Sequence, residues 1–399
     1  MAATNVLLTP TIIAKEALMQ LVNKLAMSAH VYKAYKQEFV KVGQTITVRK
    51  PNKFRATNTQ ARANSNIVEP STSITMSTQS HVSWAFSSVE LTTTIEDYSK
   101  RYIAPACEAL SNAVDVALTA RYSSIYNYAG TPGTTPATFK SLGDCQTILD
   151  LESAPQEGRV AIVNPTANWA LADGLKGTFA SKVADDIITK GYLGTIANLS
   201  IYMDQNIASH TCGHFTSGAT PVMNGSTVTG ATSLVTTGWG GSNTVKAGDI
   251  FTVAATNQVN SMSGVSTGVL RRFAATADGA DDGAALTIAV TPTLTYGATN
   301  AYSNIDALPL TSAGLTFVGT EDGVYPQNLV FHPNAFALVT VPIELPSNVW
   351  GARETDTDAG MSIRVVKQYD IDADEEIIRL DILYGTQTLY PELAVRLWG

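Results

Sequence analysis

The chain has 399 residues, more than one typical core uses and enough for two or three compact units. Only 15% of the residues are charged and the net charge is −8, a globular composition that argues against disorder and against a protein that wraps nucleic acid. No run of about 18 apolar residues occurs, so no membrane-spanning helix is expected. The three cysteines, Cys107, Cys145 and Cys212, lie far apart and read as free thiols of a protein made in a reducing cytoplasm. The opening MAATNVLLTP has no positive charge before its apolar residues, so a soluble product without a secretory signal is expected.

Thr9 and Pro10 form a helix opening, a cap hydroxyl followed by proline at the first helical position. From Thr11 to about Glu38 the residues Ile13, Ala17, Leu21 and Leu25 recur at helical spacing, joined by Leu18 and Val22. Such a stripe either packs on its own core or forms an arm lying on a neighbouring subunit. Gly43 ends this arm, which occupies residues 1–41.

Residues 42–90 read as a long hairpin. Gln44 to Lys50 alternates polar and apolar residues, and Ile74 to Val89 is a second extended run. About twenty residues of almost no hydrophobic content separate them, and arms with so polar a tip need a partner to lie on. Arg49, Lys50, Lys53, Arg55 and Arg62 precede any acidic residue until Glu69. Three readings fit these charges: nucleic-acid contact, a solvated loop, or ion pairs with an acidic neighbour. Phe54 is the single aromatic among them, too few for base stacking.

Thr93 or Thr94 with Glu96 or Asp97 gives a capping-box pattern. A helix disturbed at Pro105 follows, then a clean stretch from Ala106 to Tyr128 with Leu110, Val114, Leu118, Tyr122 and Ile125 on one stripe. At 1.5 Å per residue that stretch spans about 35 Å. It defines a segment over 91–135, completed by part of 360–399.

After the loop from Gly130 to Pro136, Phe139 to Leu151 reads as a helix and Arg159 to Val163 as a buried strand. Asn164 and Pro165 then open a helix through Leu175. Gly191 to Ile207, GYLGTIANLSIYMDQNI, is a glycine turn leading into a strand. Residues 136–207 thus form an α/β layer, to be completed by 329–359 and part of the C-terminal strands.

Composition shifts at Ala208. No Asp, Glu, Lys or Arg occurs from there to Val245, and through Asn328 three basic residues face seven acidic ones. Short β-runs at Asp249–Ala255, Val269–Ala275, Leu286–Val290 and Leu315–Val318, without helical periodicity, predict a small all-β, barrel-like insertion over 208–328. Beyond it, Ser362–Tyr369 and Glu376–Tyr384 form a hairpin about the acidic turn Asp370, Asp372, Asp374 and Glu375. Pro391 to Leu397 closes the chain in an extended segment.

Chemistry-bearing patterns are few. His210, Cys212 and His214 alternate but lack the matching second pair a zinc site uses, and are expected to be uncoordinated loop residues. Asp370, Asp372, Asp374 and Asp381 imitate calcium-loop spacing, yet Glu375 stands where that loop needs glycine. No phosphate loop, dinucleotide fingerprint or nucleophile elbow is present. No catalytic residue, metal or cofactor is therefore expected.

Several stretches carry a family resemblance: FHPNAFALVTVPIELP (Phe331–Pro346), IRVVKQYDIDADEEIIRLDILYG (Ile363–Gly385), YPELAVR (Tyr390–Arg396), Gly191–Ile207, AGDIFTVA (Ala247–Ala254) and TGVLRRF (Thr267–Phe273). Glu90, Leu91, Tyr98, Pro105, Ala106, Leu110, Asn112 and Asp115 add to it. Together they resemble major capsid proteins of tailed double-stranded DNA phages, specifically the coat family of short-tailed Salmonella phages with an inserted domain. The resemblance implies an α+β subunit of the Hong Kong 97-like capsid fold with a long spine helix, an extended hairpin loop and an inserted barrel. It further implies self-assembly into hexamers and pentamers of an icosahedral virion head in the host cytoplasm. The implied partners are a scaffolding protein, a portal, a decoration protein as a further candidate, and enclosed DNA that is not sequence-specifically bound. It makes Arg49, Lys50, Lys53, Arg55 and Arg62 candidate inter-subunit contacts. The alternative is a β-rich virion fibre or adhesin, which explains the Gly/Thr-rich insert but not the alanine-flanked helix.

Overall fold

The computed structural model describes residues 10–33, 45–55, 69–87, 99–175, 193–215, 219–283, 285–297, 300–347, 349–356 and 360–399. They form a mixed α+β protein with two compact units. One is drawn from Met1–Val48, Ser71–Leu118 and Phe336–Gln387, the other from Arg49–Pro70, Thr119–Ala335 and Thr388–Gly399.

In the first unit the N-terminal helix spans Pro10–Lys24 and buries Ile13, Ala14, Ala17, Leu18 and Leu21. That face packs on the strands Trp350–Asp356 and Met361–Asp370. Each fully buried Ile or Leu stabilises the contact by about 1.5–3 kcal/mol. The expected continuation to Glu38 does not occur. The α-helix stops at Lys24 and a 3₁₀ turn follows at Met27–His30. The cause lies far away in sequence: the buried Asp115 carboxylate accepts the Ala26 N–H through Oδ2 and the Ser28 N–H through Oδ1, each at 2.9 Å. Those amides are thus taken out of the helical ladder. Thr9 and residues 34–44 lie outside the described residues.

The long helix runs over Ala104–Thr119 after a π turn at Ser99–Ile103. Pro105 explains the π turn, since its ring and missing N–H prevent a regular α ladder from running back into the preceding residues. At 16 residues the α segment is about 24 Å long, shorter than the sequence suggests. After a 3₁₀ turn at Ala120–Ser124 the chain becomes extended at Ile125, and Tyr128–Ala129 pairs in parallel with Arg396 and Leu397. The pull of that sheet edge ends the helix before Tyr128. The capping pattern at 93–97 and residues 88–98 lie outside the described residues.

The sheet of this unit is built on Glu375–Thr388. Met361–Asp370 pairs with it as a hairpin, and Trp350–Asp356 continues beyond. Thr78–Ser87 also pairs antiparallel with it, from Ser87↔Glu375 to Thr78↔Tyr384. Most of the second extended run of the expected hairpin therefore belongs to this sheet. The ribbon itself is short, Thr45–Arg49 against Ser71–Thr75.

In the second unit, six strands run in the order Tyr128–Ala129, Ala394–Leu397, Asn328–Phe331, Val160–Val163, Leu199–Met203, Thr195–Ile196. Ala394–Leu397, Asn328–Phe331 and Val160–Val163 are buried at every position, as strands covered on both faces must be. The helices Phe139–Leu151 and Pro165–Leu175 pack against this layer through Leu142, Leu149, Ala167 and Leu171. Their starts are set locally. Thr138 accepts the Ser141 N–H at 3.2 Å, and Asn164 Oδ1 accepts the Ala167 N–H at 2.8 Å. Leu199–Met203 follows a tight turn at Ala197 and Asn198, both at positive φ, while Gly191 lies outside the described residues.

Between Ala208 and Asn328 the described residues are all-β. Six strands pair in the order Leu315–Phe317, Ile250–Val259, Ser266–Ala275, Ala285–Leu294, Ala231–Thr237, Val222–Met223. A bridge between Val222 and Gly314, beside Leu315, joins the last strand to the first, so the pairing closes on itself. Phe251, Phe273, Phe317, Trp239 and Phe215 fill the interior, with ring centroids 4.6–6.3 Å apart. A register shift between Thr252 and Asn257, with Ala255 at φ 59°, bends the strand Ile250–Val259, which the sequence suggested would stop at Ala255.

Candidate assembly surfaces and buried polar networks

The five basic residues of the hairpin fare differently. Arg49 is exposed and pairs with Glu69 across the ribbon at 3.1 Å, a contact worth about 0–1 kcal/mol in water. Lys50 sits over the Tyr390 ring, 4.7 Å from its centroid. Burial lowers its pKa, partly countered by Glu392. The Lys53 amide donates to the Tyr302 hydroxyl at 3.0 Å, and Arg55 Nη2 donates to the Ser303 carbonyl at 3.3 Å. Arg62 lies outside the described residues. Lys50, Lys53 and Arg55 are thus engaged by their own chain, through partners that no local sequence signal could reveal.

His210 corrects the loop expectation. It lies on the strand Ser209–Thr211, buried, with Nε2 at 2.9 Å from Asp249 Oδ1 and Nδ1 at 3.1 Å from the Tyr122 hydroxyl. Cys212 is also buried, whereas His214 sits at the surface against Asp322 at 2.7 Å, whose hydrogen bond raises its pKa. Donor atoms of His210, Cys212 and Asp249 lie within 4.8 Å of one another, the spacing a metal would need. The chemistry of the cluster argues for a hydrogen-bonded network instead. The two Asp249 oxygens share the single Gly213 N–H, at 3.3 and 3.1 Å, and Oδ2 also accepts that of Lys246 at 2.7 Å. The buried Arg396 guanidinium, 5.1 Å from the Tyr122 ring centroid, already supplies a cation beside it. Burial lowers the Arg396 pKa to about 10, and burial with Asp249 raises the Cys212 thiol to about 12. Asp249 sits in AGDIFTVA, remote from His210 in sequence, which is why the sequence alone hid it.

Other buried charges are likewise consumed internally. Arg271 pairs with Glu152 at 2.8 Å. Arg159 reaches Asp150 at 2.6 Å, the Ala154 and Pro155 carbonyls, and Gln146. Asp381, fully buried, receives Arg364 at 2.7 Å, Arg379 at 2.7 Å and Gln79 at 3.0 Å. Asp370, Asp372 and Asp374 lie at the turn of the terminal hairpin, with Tyr369 donating to Asp374 at 2.6 Å. Asp381 is therefore a strand residue turned inward rather than the end of a cation loop.

Among the described residues the polar groups brought together hold strands and helices in place. This is the organisation of a structural, shell-forming subunit of a phage head. The chain belongs to the P22 coat protein family, whose model, described as P22 coat protein, gene protein 5, matches residues 1–399. It is a structural major capsid protein, homo-oligomeric in the virion capsid, and this class is not an enzyme class. Among solved structures, one of Mycobacterium phage Che8 is similar at 13% identity and TM-score 0.49, covering 93% of this chain and 90% of that one. The capsid structure of the cyanophage P-SCSP1u is similar at 11% identity and TM-score 0.41, covering 90% and 84%. The CUS-3 coat protein I-domain is similar at 23% identity and TM-score 0.20, covering 26% of this chain and 99% of that domain. No curated protein matches the chain. The fold is similar to the Hong Kong 97-like capsid fold, and the fibre or adhesin alternative is not favoured.

Proposed function

We propose that the chain assembles into hexamers and pentamers of an icosahedral head around a scaffolding protein, with a portal at one vertex and double-stranded DNA packaged inside. The family match over the whole chain carries this reading. Assembly takes place in the host cytoplasm, and a decoration protein is a further candidate partner. The closed β unit of 208–328 is the inserted domain, 136–207 with 329–359 the axial α/β layer, 91–135 the spine segment, 42–90 the extended loop and 1–41 the arm. Many modest contacts, each weak, stabilise such a shell through their number.

Within the hairpin, Arg49 and Arg62 reach an acidic surface on the adjacent subunit, while Lys50, Lys53 and Arg55 contribute at the root of the loop. The net charge of −8 makes every neighbouring copy an acidic partner. Electron microscopy of the purified chain with its scaffold tests the assembly reading: closed shells are expected, and isolated monomers or trimers would overturn it. The double variant Arg49→Ser/Arg62→Ser tests the contact, because unimpaired assembly of that variant removes it.

A further inference from the structure

The root of the hairpin does not leave the protein freely. Residues 49–55 belong to the same compact unit as the closed β structure, and three kinds of contact hold them there. The Tyr302 hydroxyl accepts the Lys53 N–H at 3.0 Å and donates to Asn52 Oδ1 at 3.4 Å, so one side chain grips two successive residues of the loop. The Arg55 guanidinium donates to the Ser303 carbonyl at 3.3 Å. The same guanidinium lies flat on Gly264, where an added Cβ would come within 2.7 Å of Nη1. Gly264 sits at φ +75° in the turn between Ile250–Val259 and Ser266–Ala275, a conformation and a clearance that glycine supplies. Lys53 and Tyr302 also border a cavity of about 120 Å³ that the buried Arg271–Glu152 pair helps to line.

We propose that Tyr302, with the Ser303 carbonyl and Gly264, is a positioning site through which the closed β unit aims the hairpin. The ribbon Thr45–Arg49 with Ser71–Thr75 buries Val48 and Ile74, but residues 51–55 beyond it lie in no strand that would fix their direction. A hydroxyl shared by two consecutive loop residues and a guanidinium anchored on a carbonyl supply that direction before any partner is met. The ligand of this surface is therefore the chain's own loop, and its consequence is a preorganised interface. The proposal rests on the reading that the hairpin reaches a neighbour.

The test uses the full-length, unassembled chain and its Tyr302→Phe variant, which removes the hydroxyl and keeps the ring. Hydrogen exchange should rise on the order of tenfold at the Lys53 amide in the variant, the loss of one hydrogen bond. Peptides from Ile250–Val259 and Asn328–Phe331 should keep their protection, showing that the fold is intact. The variant should then assemble several-fold more slowly or into shells of mixed diameter. A wild-type Lys53 amide exchanging at the rate of a free peptide overturns the proposal, as does a variant with faster exchange at Lys53 but unchanged assembly rate and shell diameter. The exchange measurement is made on the free subunit, so it is independent of the neighbour contact that the Arg49 and Arg62 variants address.

Discussion

Truncation after Gly385 removes the last strand of the α/β sheet, and its cost can be worked out side chain by side chain. Val395 and Leu397 are wholly inaccessible and Trp398 is 4% exposed. At about 1.5–3 kcal/mol for each large apolar side chain taken from water, these three contribute roughly 5–9 kcal/mol. That is the size of the entire net stability of a typical domain, about 5–15 kcal/mol. The truncation also strips the partners of Asn328–Phe331, whose residues pair with Leu397, Arg396, Val395 and Ala394, and leaves their backbone groups unmatched in a buried layer. Loss of folding, and not merely of assembly, is the expected outcome. Circular dichroism, thermal melting and sedimentation of the soluble fraction read it, with Leu397→Ala, expected to cost about 2–5 kcal/mol, as a graded control. A soluble, helical monomer of the truncated chain that melts cooperatively would refute the reasoning.

Asp115→Ala frees the Ala26 and Ser28 amides that the carboxylate receives and should destabilise the chain by about 1–3 kcal/mol, with faster hydrogen exchange confined to 26–28 and their surroundings. Burial by itself raises the Asp381 pKa, but hydrogen bonds from Arg364, Arg379 and Gln79 outweigh it and hold the group below the ordinary value of 3.8. A depressed folded-state pKa means that this stabilisation is present above about pH 4 and is lost as the pH falls through the lower, folded-state value. Acid titration of stability should therefore show a component that Asp381→Asn abolishes. Burial, followed by Glu16, raises the Cys107 thiol to about 12, burial with Asp249 raises Cys212 to about 12, and burial raises Cys145 further. At pH 8 a thiol reagent should leave all three unlabelled in the native chain and label all three in denaturant; rapid native labelling of any one shows that its site opens.

The parts of the fold legible in the sequence are those whose causes are local. The helix Phe139–Leu151 and the strand, Asn164–Pro165 turn and helix that follow were readable because Thr138 and Asn164 cap helices whose stripes lie next to them. The β-runs of 208–328 were readable from composition and the terminal hairpin from its acidic turn. What escaped was decided at a distance. The first helix ends at Lys24 because Asp115 takes its next amides, and the long helix ends early because Arg396 and Leu397 draw Tyr128 and Ala129 into a sheet. The hairpin's cations were visible as a cluster, but Tyr390 and Ser303, which engage Lys50 and Arg55, and Tyr302, which takes the Lys53 backbone N–H, sit far downstream. His210 likewise gave no sign of Asp249 and Tyr122, the partners that hold it as a buried, hydrogen-bonded side chain.

The chain enters the closed β unit along Ser209–Thr211 and returns along Val324–Pro326, and these two strands lie side by side, with Ser209 opposite Pro326. Paired antiparallel residues stand about 4.5–5.5 Å apart. The two covalent connections of the segment between them therefore almost touch, at one narrow port. A guest polypeptide with adjacent termini could be spliced into that port, provided that it also met the buried Arg396 and Glu152, which Gly248 and Arg271 of the present segment engage. The exchange would carry away Tyr302 and Gly264, so a replacement cassette inherits the geometry of the port but must provide its own means of directing the hairpin.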